Sequence, residues 1–323
     1  MKAAVYTRYG PPEVLRVTDV PAPVAKDDEV LVRVRATSVN RTDRGFLRAE
    51  PWIVRLFAGL RAPRRTILGC EFAGDVEAVG GSVTRFAVGD RVFGFDDAGW
   101  GGQAELKTIA ESRMVDTIPD GLSYDDAAVS TEGAHYALRY VRALHVGSRT
   151  RVLLHGATGA IGTAAVQLLK HAGASVVATS TTASVELVRV LGADAVVDWE
   201  REDFTALDER FDVVFDAVGK SSFGACRPLL RSGGVYVSTD LGPWAQNAPL
   251  SLVGPVFRAV GAKRVAFPLP RASREVIAFL RERLARGELR PVIDRAYGLD
   301  DIVEAYRYVD TGLKVGNVVV RVA

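Results

Sequence analysis

An apolar run, Val152-Leu153-Leu154-His155, leads into Gly156-Ala157-Thr158-Gly159-Ala160-Ile161-Gly162, and apolar residues then recur at helical spacing over residues 161–172. A strand passing through a glycine turn straight into a helix belongs to a layered α/β domain, and it is the context a dinucleotide fingerprint requires. In the G-x-G-x-x-G frame Gly159 and Gly162 hold the last two glycine positions and Ala157 the first. Gly159 lets backbone approach a pyrophosphate, and Gly162 lets the helix lie on the strand. The amides around Thr158, Gly159, Ala160 and Ile161 meet the anion. The alternative, a glycine turn without a ligand, suits these flanking elements less well.

The rest of the chain extends this unit. Residues 125–144 read as helix, and 175–179, 195–198, 212–216 and 235–239 as short apolar strands with helical stretches among them. That alternation implies a parallel sheet covered on both faces. Upstream, β-branched and aromatic runs at 2–7, 29–38, 72–79 and 91–95, punctuated by glycine and proline, indicate a β-rich domain. Helices near 274–286 and 300–309 and a strand at 317–322 are expected to return to that first domain. The α/β domain is then an insertion: 1–124 completed by 266–323, with 125–265 between. At 323 residues there is enough chain for two cores.

In NAD-binding domains an acidic residue about 20 positions beyond the turn accepts the ribose hydroxyls. Here that region is Thr179-Ser180-Thr181-Thr182-Ala183-Ser184 and holds no carboxylate. Hydroxyls at Ser180, Thr181 and Ser184 solvate an extra phosphate that an acid would repel, so NADPH is expected over NADH. The 41 basic and 39 acidic side chains nearly cancel, giving no global field toward nucleic acid or an anionic membrane, although a local basic patch remains compatible. The start has no secretory pattern and no run is apolar enough to span a bilayer, so a cytoplasmic location is expected. Cys70 and Cys226 are expected as free thiols.

Together these segments resemble the medium-chain dehydrogenase/reductase superfamily, in its zinc-independent quinone oxidoreductase-like branch. The resemblance spans nearly the whole chain. It is carried by Met1-Lys2-Ala3-Ala4-Val5, Tyr9-Gly10-Pro11-Pro12-Glu13-Val14-Leu15, Val39-Asn40-Arg41-Thr42-Asp43 and Leu68-Gly69-Cys70-Glu71-Phe72-Ala73-Gly74. Val88-Gly89-Asp90-Arg91-Val92-Phe93-Gly94, the glycine turn, Leu191-Gly192-Ala193-Asp194 and Asp212-Val213-Val214-Phe215-Asp216-Ala217-Val218-Gly219 follow in order. The resemblance implies a GroES-like catalytic domain formed by both termini and an inserted Rossmann domain. The zinc-dependent branch has cysteine at the position of Asn40, histidine at that of Cys70 and glutamate at that of Glu71. Asn40 is a poor zinc ligand, so no metal is expected, and a remnant site on Cys70 and Glu71 would lack its third ligand.

The resemblance also implies site positions. Asn40 and Asp43 lie on a segment that faces the nicotinamide in relatives, Asn40 to donate to a carbonyl or hold a water, Asp43 to order the loop or relay a proton. Both residue types also stabilise turns through local backbone bonds. Thr131 falls where relatives approach the carboxamide, and Asn317 stands where a lysine is common. Val218, Gly219 and Leu241 follow parallel strands, at whose carboxyl ends ligands collect. Glu132 and His135, three apart on a helix, read as a surface pair or a hydrogen bond rather than acid-base chemistry.

Residues 52–65 mix Trp52, Ile53, Val54, Leu56, Phe57 and Leu60 with four arginines. A short amphipathic helix, a lid or an interface segment all fit. The resemblance also implies a homodimer, through a Rossmann sheet edge at Val235-Tyr236-Val237 together with residues 252–260. The leading expectation is an NADPH-dependent reductase of quinones or α,β-unsaturated carbonyl compounds. The alternatives are a zinc-independent carbonyl or alcohol oxidoreductase and a catalytically silent NADPH-binding protein.

Overall fold

The computed structural model describes residues 1–240, 246–259 and 261–322. Leu241 and Val260 lie outside the described residues. The chain divides into two compact units, Met1–Glu132 with Ala272–Ala323, and Gly133–Arg271. In chain order the strands of the first unit are β1 (Lys2–Val5), β2 (Arg16–Asp19), β3 (Glu29–Val39), β4 (Glu71–Val79), β5 (Arg91–Phe95), β6 (Leu106–Ala110) and β7 (Met114–Thr117). The second unit carries β8 (Arg151–His155), β9 (Ser175–Ser180), β10 (Ala195–Asp198), β11 (Phe211–Asp216), β12 (Leu230–Ser238) and β13 (Arg264–Ala266). The chain then returns to the first unit with β14 (Ile293–Gly298) and β15 (Asn317–Arg321).

In the first unit β3 is the hub, pairing with β4, β6 and β15. Its valines alternate, so Val30, Val32 and Val34 fill one face against Phe72, Val76, Val92, Ile109 and Val115. Beyond Ala36 every residue to the end of β3 is buried, and the strand delivers Asn40 into the interior of the unit. The closing strand pairs antiparallel with it, Val318 opposite Val39, so the return of the chain is structural and not a loose tail.

The second unit is one parallel sheet in the order β10-β9-β8-β11-β12-β13, the Rossmann arrangement. Its strands are continuous apolar runs because both faces are covered. Leu153, Val177, Val214 and Tyr236 lie in its core. The strand order reverses between β8 and β11, and ligands of such sheets bind outside the carboxyl ends at that reversal.

Two expectations change. The helix read over 125–144 is two, Tyr124–Ala128 and Glu132–Ala143. The hydroxyl of Ser130 donates to Ala127 O and that of Thr131 to Glu71, local bonds that compete with helix continuation. The strand near 235–239 begins earlier, at Leu230, and β13 covers its outer side. Val235, Tyr236 and Val237 are therefore buried inside the sheet and present no edge.

The helix Ala160–His171 meets β8 and its turn almost backbone to backbone: a Cβ on Gly162 would lie 2.1 Å from Gly156 O and 2.7 Å from Ala157 Cα. Gly162→Ala is therefore expected to destabilise the protein by about 3 kcal/mol, at the upper end for overpacking, because backbone must move. Gly159→Ala, whose added carbon meets no atom within 4 Å, should shift the denaturation midpoint far less.

Candidate active site

The glycine turn of the second unit is shaped from both sides. Gly156 has φ 82°, which favours glycine, and a Cβ there would strike Val218 Cγ1 at 2.7 Å. Its N–H donates to Thr179 Oγ1 (3.1 Å), and Ala157 N–H to Thr179 O (3.2 Å). Thr158, Gly159, Ala160 and Ile161 are half-buried, whereas Ala157 and Gly162 are buried. Gly159 caps the helix without a side chain, leaving the first amides open where no Cβ intrudes, a cradle that suits an anion. Gly133, unremarked in the sequence, packs so closely that a Cβ there would lie 2.5 Å from Ala160 O.

Across the strand reversal, Asp216 at the end of β11 accepts the N–H groups of Val218 (3.1 Å), Gly219 (2.7 Å) and Ser221 (2.9 Å) and the hydroxyl of Tyr236 (3.1 Å). One buried carboxylate thus fixes the loop bearing Val218 and Gly219 beside Gly156.

The expected phosphate-solvating run is less free than it reads. Ser180 is buried and donates to Thr181 O (3.0 Å), and Ser184 is buried with its N–H on Thr181 O (3.0 Å). Acids reach the run from β10 and the residues that follow it: Thr182 Oγ1 donates to Asp198 (2.6 Å) and Thr182 N–H to Glu200 (2.8 Å). Arg201 stands 3.4 Å from Asp198 and supplies a cation the run itself lacks. The signal for these residues is the register, which sets Asp198 opposite Ser180.

The first unit contains a buried acidic cluster. Glu71, opening β4, accepts from Ser38 Oγ (2.7 Å) and Asn40 Nδ2 (2.7 Å) on one oxygen. Its other oxygen accepts from Thr131 Oγ1 (2.8 Å), Thr131 N–H (3.1 Å) and Glu132 N–H (2.5 Å). Burial raises its pKa and these donors pull it back, so Glu71 is the carboxylate best equipped to stay ionised. Thr131 directs its hydroxyl to Glu71. Asn40 directs its amide hydrogens to Glu71 and Ser38 (3.1 Å), so its donors are engaged and not open to a carbonyl. Asn40 Oδ1 remains a buried acceptor without a partner among the described residues, as does Asn317 Oδ1. Asn317 also donates to Val292 O (3.1 Å).

Asp43 lies one helical turn into Arg41–Arg48 and accepts the N–H groups of Asn40 (2.7 Å) and Gly69 (3.0 Å). It orders the loop. Glu132 is not on the surface: it and His135 are both buried, and Glu132 accepts from the hydroxyl of Thr42 and lies 3.6 Å from Cys70 Sγ. Burial, then the neighbouring charge of Glu71, pushes the Glu132 carboxyl up to about 7. Burial, then Glu132, holds Asp43 well above the usual carboxylate range. His135 is lowered by burial to about 4 and is neutral near pH 7. Lys314, three residues before Asn317, is lowered by burial to about 8 while Glu132 and Glu71 favour its charged form. This lysine was missed because the sequence pattern drew attention to position 317.

Ligand atoms of Asp43, Cys70 and Glu132 lie within 4.8 Å of one another. The set nevertheless does not fit zinc. Both Asp43 oxygens hold backbone amides. Burial and the adjoining carboxylates push the Cys70 thiol well up.

Residues 26–120 match the alcohol dehydrogenase GroES-like domain family, and residues 191–320 match the family described as zinc-binding dehydrogenase. A 2-methylene-furan-3-one reductase of Solanum lycopersicum is 32% identical over 331 residues, spanning 99% of this chain and 79% of that protein. The chain belongs to the medium-chain dehydrogenase/reductase superfamily, in its quinone oxidoreductase-like branch. An NADPH-dependent alkenal/one oxidoreductase of Arabidopsis thaliana is 29% identical, with the same coverage of 99% and 79%. Among solved structures, a quinone oxidoreductase from Coxiella burnetii superposes with a TM-score of 0.86 at 26% identity, over 100% of this chain and 99% of that one.

A Glu132 pKa near 7 against an ordinary 4.5 means that the folded state holds this proton more tightly than the unfolded one. Stability from this group is full below about pH 4.5 and is lost as pH rises through 7, by about 3 kcal/mol. Glu132→Gln should therefore match the parent in melting temperature at pH 5 and exceed it at pH 8.5. Parallel pH profiles for the two proteins would contradict this assignment.

Proposed function

We propose that this chain is an NADPH-dependent reductase that passes hydride to quinones or α,β-unsaturated carbonyl compounds without a catalytic zinc. The observation that carries the reading is the open cradle at Gly159, set beside the Asp216-held loop at the strand reversal of a Rossmann sheet. The named activities of the tomato and Arabidopsis relatives support the acceptor class and the coenzyme.

NADPH, when bound, supplies the hydride. The amides near Thr158, Gly159, Ala160 and Ile161 would hold its pyrophosphate, with Val218 and Gly219 walling the same side. Ser180, Thr181 and Ser184, with Arg201, would surround the adenosine ribose and its phosphate. Asn40 and Asn317 offer their unpartnered acceptors to an amide donor or a water, and Thr131 holds Glu71 in register. Hydride arriving at an enone carbon leaves an enolate that needs a proton. Thr42, half-buried and bonded to Glu132, can donate its hydroxyl proton and be restored from the Glu132 carboxyl. Asp43 positions this loop. No Lewis acid is needed, because conjugation spreads the negative charge.

A cytoplasmic location is supported by both cysteines being buried free thiols. Pairing of two copies, if it uses the Rossmann sheet, would employ the β13 edge and exposed Leu252 and Phe257.

Following NADPH absorbance against quinones, enones, aldehydes and alcohols tests the reading. Turnover is expected with the first two and should survive a chelator, with no stoichiometric metal found by elemental analysis. Tight NADPH binding without oxidation by any acceptor would favour a silent protein. Thr181→Asp should raise KM for NADPH at least tenfold and leave that for NADH nearly unchanged; equal effects on both would remove this run from phosphate recognition.

A further inference from the structure

Residues 51–70 hold four arginines and no aspartate or glutamate, in a chain whose charges otherwise almost cancel. Within this stretch Ile53, Leu56, Phe57 and Leu60 fall at i, i+3, i+4 and i+7, the spacing of one helical face. Such a face ordinarily packs on a core. Here it does not: the helix is only Val54–Ala58, and Trp52 is 70% exposed, Leu56 50%, Phe57 73% and Leu60 65%.

The projection is built and not loose. Tyr9 donates its hydroxyl to Gly59 O (2.7 Å), Arg64 N–H donates to Ala58 O (2.7 Å), and the Arg55 guanidinium lies over the Tyr9 ring at 5.2 Å. Arg55, Arg61, Arg64 and Arg65 are exposed, and none forms an ion pair with a described residue. Four cations without an ion-pair partner among the described residues thus share one short segment with exposed aromatic and aliphatic side chains.

We propose that this tip docks the protein on an anionic lipid surface, with Trp52, Leu56, Phe57 and Leu60 entering the headgroup boundary and the arginines meeting lipid phosphates. Each half of the feature selects this partner. An apolar tip with an indole and a phenyl ring suits the interfacial layer of a bilayer, and a cationic segment suits its negative surface potential. A second copy fits poorly, because a two-fold contact on this patch would bring eight arginines together. A nucleic acid would satisfy the arginines but leave the aliphatic tip without a complementary surface. The short helix limits insertion to a shallow depth, so attachment is peripheral and reversible by salt. No helix among the described residues is long and apolar enough to cross a membrane, which agrees with docking and not spanning.

The test is co-sedimentation of the full-length, NADPH-loaded protein with vesicles of phosphatidylcholine alone or mixed with phosphatidylglycerol. Binding is expected only to the mixed vesicles, weakening at least tenfold in high salt. Arg61→Gln with Arg64→Gln, and separately Trp52→Ser with Phe57→Ser, should each lower the partition coefficient at least tenfold. Melting temperature and turnover with a water-soluble quinone should stay unchanged in both. Equal binding to both vesicle types, or none to either, overturns the proposal. So does loss of soluble-quinone turnover in the tip variants, which would make the segment a lid. Self-association in sedimentation velocity that the same variants abolish would assign the tip to a second copy and overturn it equally.

Discussion

One carboxylate with five donors holds the first unit's interior in place. Glu71 gathers the end of β3 through Ser38 and Asn40 and the start of the helix Glu132–Ala143 through Thr131 and Glu132. A buried charge is tolerated only when its lone pairs are met, and here they are. Because Glu71 is satisfied so fully, the proton demand of the cluster falls on Glu132 and Asp43. Like charges this close do not all ionise, and the interior therefore stores a proton near neutral pH.

Hydrogen bonds among Ser38, Asn40, Glu71 and Thr131 organise this interior. Asn40 cannot stand in for a thiolate, but its amide bridges Ser38 and Glu71 and leaves an acceptor over. Cys70, kept a thiol by burial and its acidic neighbours, fills space beside Glu132 and is a poor nucleophile. The outcome is a buried cluster with proton-holding capacity.

Much of the architecture was readable because it rests on short-range pattern. Gly159 and Gly162 announce themselves by spacing, and the glycine turn, parallel sheet and returning strand follow from apolar runs and their order. The site was less readable wherever partners lie far apart in the chain. Nothing near Glu132 signals Thr42 or Glu71, so a helical spacing of three to His135 suggested a surface pair. The three-residue β13 is too short to register as a strand, so the sequence does not reveal that Val235-Tyr236-Val237 is covered. An acid-free run at 179–184 concealed Asp198 and Glu200, which arrive from the neighbouring strand's end.

The antiparallel pairing of β15 with β3 also governs when the molecule can be finished. Chain synthesis delivers β3 before its partner β15, with the whole of Gly133–Arg271 made in between. That inserted segment is contiguous and can close its own sheet as it emerges. The first unit must wait, with that flank of β3 unpaired, until β15 leaves the ribosome. The order of assembly thus departs from the order of the sequence: the inserted unit can close before the unit that encloses it.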